Sequence, residues 1–179
     1  PRFMEDAEPR EWERTLSINL HGAVLMARAV IPAMKTSGDG VIVNITSGLG
    51  QMPYPRFAAY AVSKAALIQL TRSLSEELAP HGIRVNGVDP GIMDTSMQTH
   101  IRGLGPQRLG QEIHSTFDQF HKSGALKDPH DVASLLAWLA SPQASHITGE
   151  HGTLSHYRTL PTPINTTENN THSLRSTTQ

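Results

Sequence analysis

Cysteine is absent from this 179-residue chain, which excludes disulfides, thiolate metal ligands and a cysteine nucleophile. An excess of one charge is lacking too: 15 Lys and Arg face 16 Asp and Glu, for a formal net charge of −1. With no cationic surplus to neutralise phosphates, nucleic acid is not expected as a partner. Long apolar runs are also missing. The most apolar stretch, residues 23–34, contains Arg28 and falls short of the roughly 20 residues that a bilayer span requires, so no membrane partner is expected. No secretory signal pattern is visible, which points to the cytoplasm. The chain opens on Pro1 rather than Met, and an upstream targeting segment remains compatible with that.

What is present reads as an ordinary globular domain, 37% hydrophobic and 17% charged, long enough for one sizeable core. Trp12, Leu16, Leu20, Ala23, Ala27, Val30 and Met34 recur near helical period and predict a helix over 10–35, brought to an end by Pro32 and Gly38. The β-branched run at 41–45 has the pattern of a strand buried on both faces. A loop with Gly48, Gly50, Pro53 and Pro55 leads to a second helix over 57–79, which Gly82 is placed to end. Residues 83–88 predict another strand, stopped by Pro90 and Gly91. After a loose segment at 103–106, Leu109, Ile113, Phe117 and Phe120 mark a weaker amphipathic helix. Asp128 and Pro129 start a further helix carrying Val132, Leu135, Leu136 and Leu139. This alternation argues an α/β fold with parallel strands. One domain over 1–157 is expected, with residues 158–179 as a polar, disordered tail.

The chemistry centres on Tyr60 and Lys64. Four residues apart on a helix, their side chains share one face, and Leu67, Leu74 and Leu78 lie near it. Lys64 therefore points to the core side, where a lysine is costly unless its charge is used or paired. With three Tyr and four Lys in the chain, a chance Tyr-x-x-x-Lys is expected about 0.1 times. A free phenol, with a pKa of about 10, is a poor base at neutral pH; an adjacent ammonium stabilises the phenolate and lowers that value. Tyr60 could then exchange a proton with an alcohol or carbonyl. Ser47 falls at the end of the 41–45 strand, where ligands gather in parallel α/β sheets; taken alone it suits a turn or cap better. Ten His invite a metal reading, above all His146, His151 and His156. Their spacing of five aligns them on neither a helix nor a strand face, and no metal is expected.

At this point four ordered motifs carry a resemblance: Asn19 within SINLHGAVLMARAVIPAM, then GDGVIVNITSGLG, YAVSKAAL and IRVNGVDPGIMDTSM. Over about residues 1–149 the chain resembles the classical short-chain dehydrogenases/reductases. The resemblance implies a partial Rossmann-type, doubly wound parallel sheet and an oxidoreductase moving hydride between NAD or NADP and a small alcohol or ketone. It implies that Ser47 positions the substrate, that Tyr60 is the acid/base, and that Lys64 lowers its pKa and binds the nicotinamide ribose. Asn19, which alone would read as structural, falls where the family holds a water of its proton relay. Pro90, Gly91, Ile92 and Thr95 match the segment that touches the nicotinamide, the helix after Thr95 matches the substrate lid, and Tyr54 could also line the pocket. A homo-oligomer is implied, through the helices at 10–35 and 57–79. Two departures stand out. The family's first four strands and Gly-rich pyrophosphate turn find no match, so the sequence is expected to be partial. The usual last strand and its Asp-Gly-Gly are replaced by HGTLSHYRTLP. The alternative is a catalytically incompetent fragment that acts as an interaction module through those same helices.

Overall fold

In the computed structural model, residues 1–124 and 126–160 are described. Three parallel strands run in the order β1-β2-β3. Strand β1 (Gly40–Ile45) pairs with β2 (Ile83–Val88) from Gly40 opposite Ile83 to Ile45 opposite Val88. Strand β3 (His151–Gly152) adds two residues beside Gly87 and Val88. The central β2 is buried at every position except the half-buried Arg84, whereas β1, expected to be buried on both faces, is half-buried from Gly40 to Val43 and exposed at Ile45 because it lies at the edge of the sheet.

On one side lie α2 (Gly22–Ser37) and α3 (Ala58–Leu78). Leu78, Ile83 and Val85 form the core there, with Ile31, Met34, Ile42 and Leu74 packed around them. On the other side α7 (Pro129–Ala140) brings Val132, Leu135 and Leu139 against Val88. Leu78, Leu139 and Val85 have no exposed surface, each worth about 1.5–3 kcal/mol relative to an exposed side chain. Helix α7 starts as expected: Asp128 Oδ1 accepts the His130 N–H at 2.8 Å and Pro129 occupies the first turn. Gly82 follows α3 and a 3₁₀ turn at φ 71°, where a Cβ would strike the Gly38 carbonyl oxygen.

Several elements differ from the sequence expectation. The first long helix runs without a break from α1 (Pro9–Leu16) through a π-helical turn (Ser17–His21) into α2. Pro32 does not end it; α2 continues to Ser37, and Gly38 at φ 68° is the stop. At 29 residues, Pro9–Ser37 is long and apolar enough to cross a membrane by length and composition alone, contrary to the estimate from the shorter run at 23–34. Its Ile31 and Met34 are committed to the core beside β2, which is the role of a helix covering a sheet. The segment 103–106 is not loose: α4 (Ser96–Gly103), α5 (Gly105–Leu109) and α6 (Gln111–Lys122) follow one another, with Pro106 in the first turn of α5. After β3, helix α8 (Leu154–Thr159) extends past the expected domain limit at 157. Tyr157 plugs the core at 3% exposure and donates to the Gly87 carbonyl at 2.9 Å. The rest of the expected tail, from 161, lies outside the described residues.

Candidate active site

Strand β1 and helix α3 bring the predicted side chains together at the carboxyl end of the sheet. Thr46 continues β1 by donating its N–H to Val88 O at 2.8 Å, and Ser47, in extended conformation, begins the 3₁₀ turn Gly48–Gly50. The turn reading of Ser47 is met. Its Oγ accepts the Leu49 N–H at 3.3 Å, and its side chain faces the Tyr60 phenol closely enough to favour the phenolate. The turn sits directly on α3: a Cβ on Gly50 would stand 2.8 Å from Ala65 N and from the Lys64 carbonyl carbon. Glycine is required there by close approach, and that approach sets the distance from Ser47 to Tyr60.

Tyr60 lies in the first turn of α3 and Lys64 one turn on. Lys64 Nζ donates to Ile45 O at 2.7 Å and stands 5.6 Å from the centre of the Tyr60 ring. Burial pushes the Tyr60 phenol above the usual tyrosine value, the Ser47 side chain pulls it down, and the Asp89 carboxylate pushes it up. Burial also holds the Lys64 ammonium below the usual lysine value. The expected lowering of the Tyr60 pKa by Lys64 is therefore not what this arrangement produces. Desolvation prevails, and the ammonium is turned to a main-chain carbonyl.

Asn19 belongs to the π-helical turn, a local distortion common at functional sites. Its Nδ2 donates to Ser63 Oγ at 3.0 Å, and Ser63, fully buried, donates to Tyr60 O at 2.7 Å. Asn19 is thus tied to the helix turn that carries Tyr60. Pro90 is buried and Gly91, Ile92 and Thr95 are half-buried. Lys127 braces this segment, donating its N–H to Ile92 O at 2.9 Å and accepting from Asp94 N at 3.3 Å. Thr95 precedes α4, yet its hydroxyl makes no capping bond.

Tyr54, Phe57 and Phe117 form an aromatic wall between the loop before α3 and α6, with centroids 5.5 and 6.3 Å apart. Burial, then Glu112, raises the Tyr54 phenol. Among the described residues no three His, Cys, Asp or Glu converge on a metal position: His151 bonds Thr46 and His156 bonds Glu150. The sequence reading missed Phe57, Phe117 and Asp89. An acidic residue between an apolar strand and Pro-Gly was the available signal for the last.

This geometry has relatives. The family model described as enoyl-(acyl carrier protein) reductase matches residues 2–154. Human dehydrogenase/reductase SDR family member 4 is 37% identical over 145 residues, 81% of this chain and 50% of that protein. The 3beta-hydroxysteroid dehydrogenase 1 of Eggerthella lenta is 37% identical over 140 residues, 78% of this chain and 51% of its own. The crystal structure of 3-ketoacyl-(acyl-carrier-protein) reductase from Brucella melitensis complexed with NADH superposes with a TM-score of 0.71 at 34% identity, covering 86% of this chain and 60% of that one. The chain spans about half the length of the curated relatives it matches. With an α/β fold built on parallel strands and a family model that covers most of its length, the chain belongs to the short-chain dehydrogenase/reductase family.

Proposed function

We propose that these residues form the acid/base half of an NAD(P)-dependent oxidoreductase acting on a small alcohol or carbonyl compound. The observation that carries this reading is the placement of the Ser47 side chain against the Tyr60 phenol, with the Lys64 ammonium on the next turn. A nicotinamide, when bound, supplies the hydride chemistry. The side chains present fit its ribose and carboxamide end. Lys64 spends one of three donors on Ile45 O, and the Thr95 hydroxyl is uncommitted to its helix.

In the reducing direction, Ser47 and Tyr60 orient the carbonyl oxygen and Tyr60, held protonated by its environment, donates to it. In the oxidising direction Tyr60 must first ionise, so its raised pKa places that reaction at higher pH. Asn19 holds the inner end of the route by which Tyr60 is reprotonated from solvent, through a water. Tyr54, Phe57 and Phe117 bound the substrate's apolar part. The test is ketone reduction with NADH or NADPH by this chain joined to the portion of the Brucella reductase that it does not cover. Turnover supports the reading, and a folded fusion without turnover contradicts it.

A second reading rests on a different observation: Ile18, Leu25 and Met26 on the first helix and Val62 on α3 are exposed. That apolar surface suits pairing of the 179 residues with another subunit, without turnover of their own. The described residues address only the nicotinamide end of a cofactor, so the chain alone is expected to bind NAD(H) and NADP(H) more weakly than micromolar. A micromolar dissociation constant by titration calorimetry, about −8 kcal/mol, would contradict that expectation and leave the first reading alone standing.

A further inference from the structure

Asp89 stands where β2 leaves the sheet, at a position where Pro90 already ends the strand. Its Oδ1 accepts the Gly91 N–H at 2.9 Å. Its Oδ2 lies 3.1 Å from where a Cβ on Gly48 would be, so the carboxylate packs on the backbone next to Ser47. Its own N–H donates to Gly152 O at 2.9 Å. The segments leaving the carboxyl ends of all three strands therefore meet at one residue. Among the described residues no Lys or Arg forms an ion pair with it.

We propose that Asp89 is a positioning residue of this site, locking the Pro90 and Gly91 turn against the Ser47 loop and placing a fixed negative charge near the Tyr60 phenol. This rests on Tyr60 being the acid/base. Among the described residues the groups that face Tyr60 are Ser47 from the loop after β1, Lys64 from its own helix and Asp89 from the end of β2; Asn19 reaches its main-chain carbonyl through Ser63. Of these only Lys64 and Asp89 are charged, and Lys64 is turned towards Ile45 O. Asp89 thus opposes formation of the phenolate and favours the protonated phenol that carbonyl reduction uses. The same carboxylate faces His151, whose other charged neighbours are Arg72 and His156.

The chain has three tyrosines, so Tyr60 can be followed by carbon-13 NMR of labelled tyrosine, its signal identified with Tyr60→Phe. Asp89→Asn removes the charge and keeps an oxygen for Gly91. The Tyr60 ionisation should move to lower pH while Gly91 amide exchange stays unchanged. Asp89→Ala removes both, and Gly91 should exchange about tenfold faster while the Val85 amide, deep in β2, keeps its rate. An unmoved Tyr60 titration in Asp89→Asn overturns the electrostatic role, and unchanged Gly91 exchange in Asp89→Ala overturns the anchoring role. Should the Ala variant fail to fold, the Asn titration still decides. None of this requires turnover, so a negative result strikes Asp89 alone, whereas an active Tyr60→Phe enzyme would strike the acid/base reading.

Discussion

Replacing Gly50 by Ala sets two effects of opposite sign against each other. Gly50 is in a 3₁₀ turn, with a backbone that other residues adopt. Entropy in the unfolded chain alone would make Ala stabilising there by about 0.4–1 kcal/mol. The added Cβ, however, would sit 2.8 Å from Ala65 N and from the Lys64 carbonyl carbon, and 2.9 Å from Ile68 Cδ1. Ile68 could rotate away; a helix backbone cannot. Ordinary contacts need roughly 3.5–4.0 Å, so the turn must retreat from α3 by about 1 Å. Overpacking of this kind costs about 1–3 kcal/mol and outweighs the entropic gain. The net loss, up to about 2.6 kcal/mol, corresponds to a fall in melting temperature of up to about 10 °C for a chain of this size. Ser47 moves with the turn and away from Tyr60, and a misplacement near 1 Å costs on the order of 100-fold in turnover. Thermal melting by circular dichroism and kcat in the fusion enzyme read the two effects. A Gly50→Ala variant that melts higher and turns over normally would show that the loop does not bear on α3 as described.

Three further outcomes follow from other parts of the structure. Tyr157→Phe strips the donor from the buried Gly87 carbonyl and should cost about 1–2 kcal/mol in urea denaturation; an unchanged midpoint would mean that α8 does not dock there. Burial holds His151 below its usual 6.5, so its neutral form is the one the fold prefers. Stability should then fall as pH drops below about 6.5, where the unfolded chain gains a proton that the native imidazole resists, and levels off below the native pKa. His151→Gln should flatten that segment of the pH–stability curve. Lys64→Met in the fusion enzyme should raise KM for the nicotinamide cofactor roughly 10–100-fold through lost charge-assisted hydrogen bonds; an unchanged KM would remove Lys64 from the cofactor site.

The parts legible in the sequence were those where local pattern and tertiary packing agree. Strand β2 was legible because Ile83, Val85 and Val88 are all buried at the centre of the sheet, and the Asp128–Pro129 signal marked α7 because a cap acts within three residues. Ser47, Tyr60 and Lys64 were legible because one strand end and one helix turn are enough to bring them together. The π-helical turn at Asn19 was hidden because a single extra residue in a helix leaves the apolar spacing nearly unchanged. Helix α5 was missed because Gly103 and Gly105 weigh against helix locally, while Leu109, fully buried, holds it in place from a distance. Helix α8 was missed because its one large buried side chain, Tyr157, sits in an otherwise polar stretch. The raised Tyr60 pKa depends on burial and on Asp89, residues away in sequence, which no spacing rule reports.

The most direct test of the account is Tyr60→Phe in the fusion enzyme, measured as kcat for ketone reduction with the circular dichroism spectrum as a control. Phenylalanine keeps the ring and removes only the hydroxyl, the proton donor. General acid catalysis of this kind is worth about 10²–10⁴-fold. The account predicts a loss of that size with an unchanged spectrum; turnover within a factor of a few of the parent, with the fold intact, would contradict it.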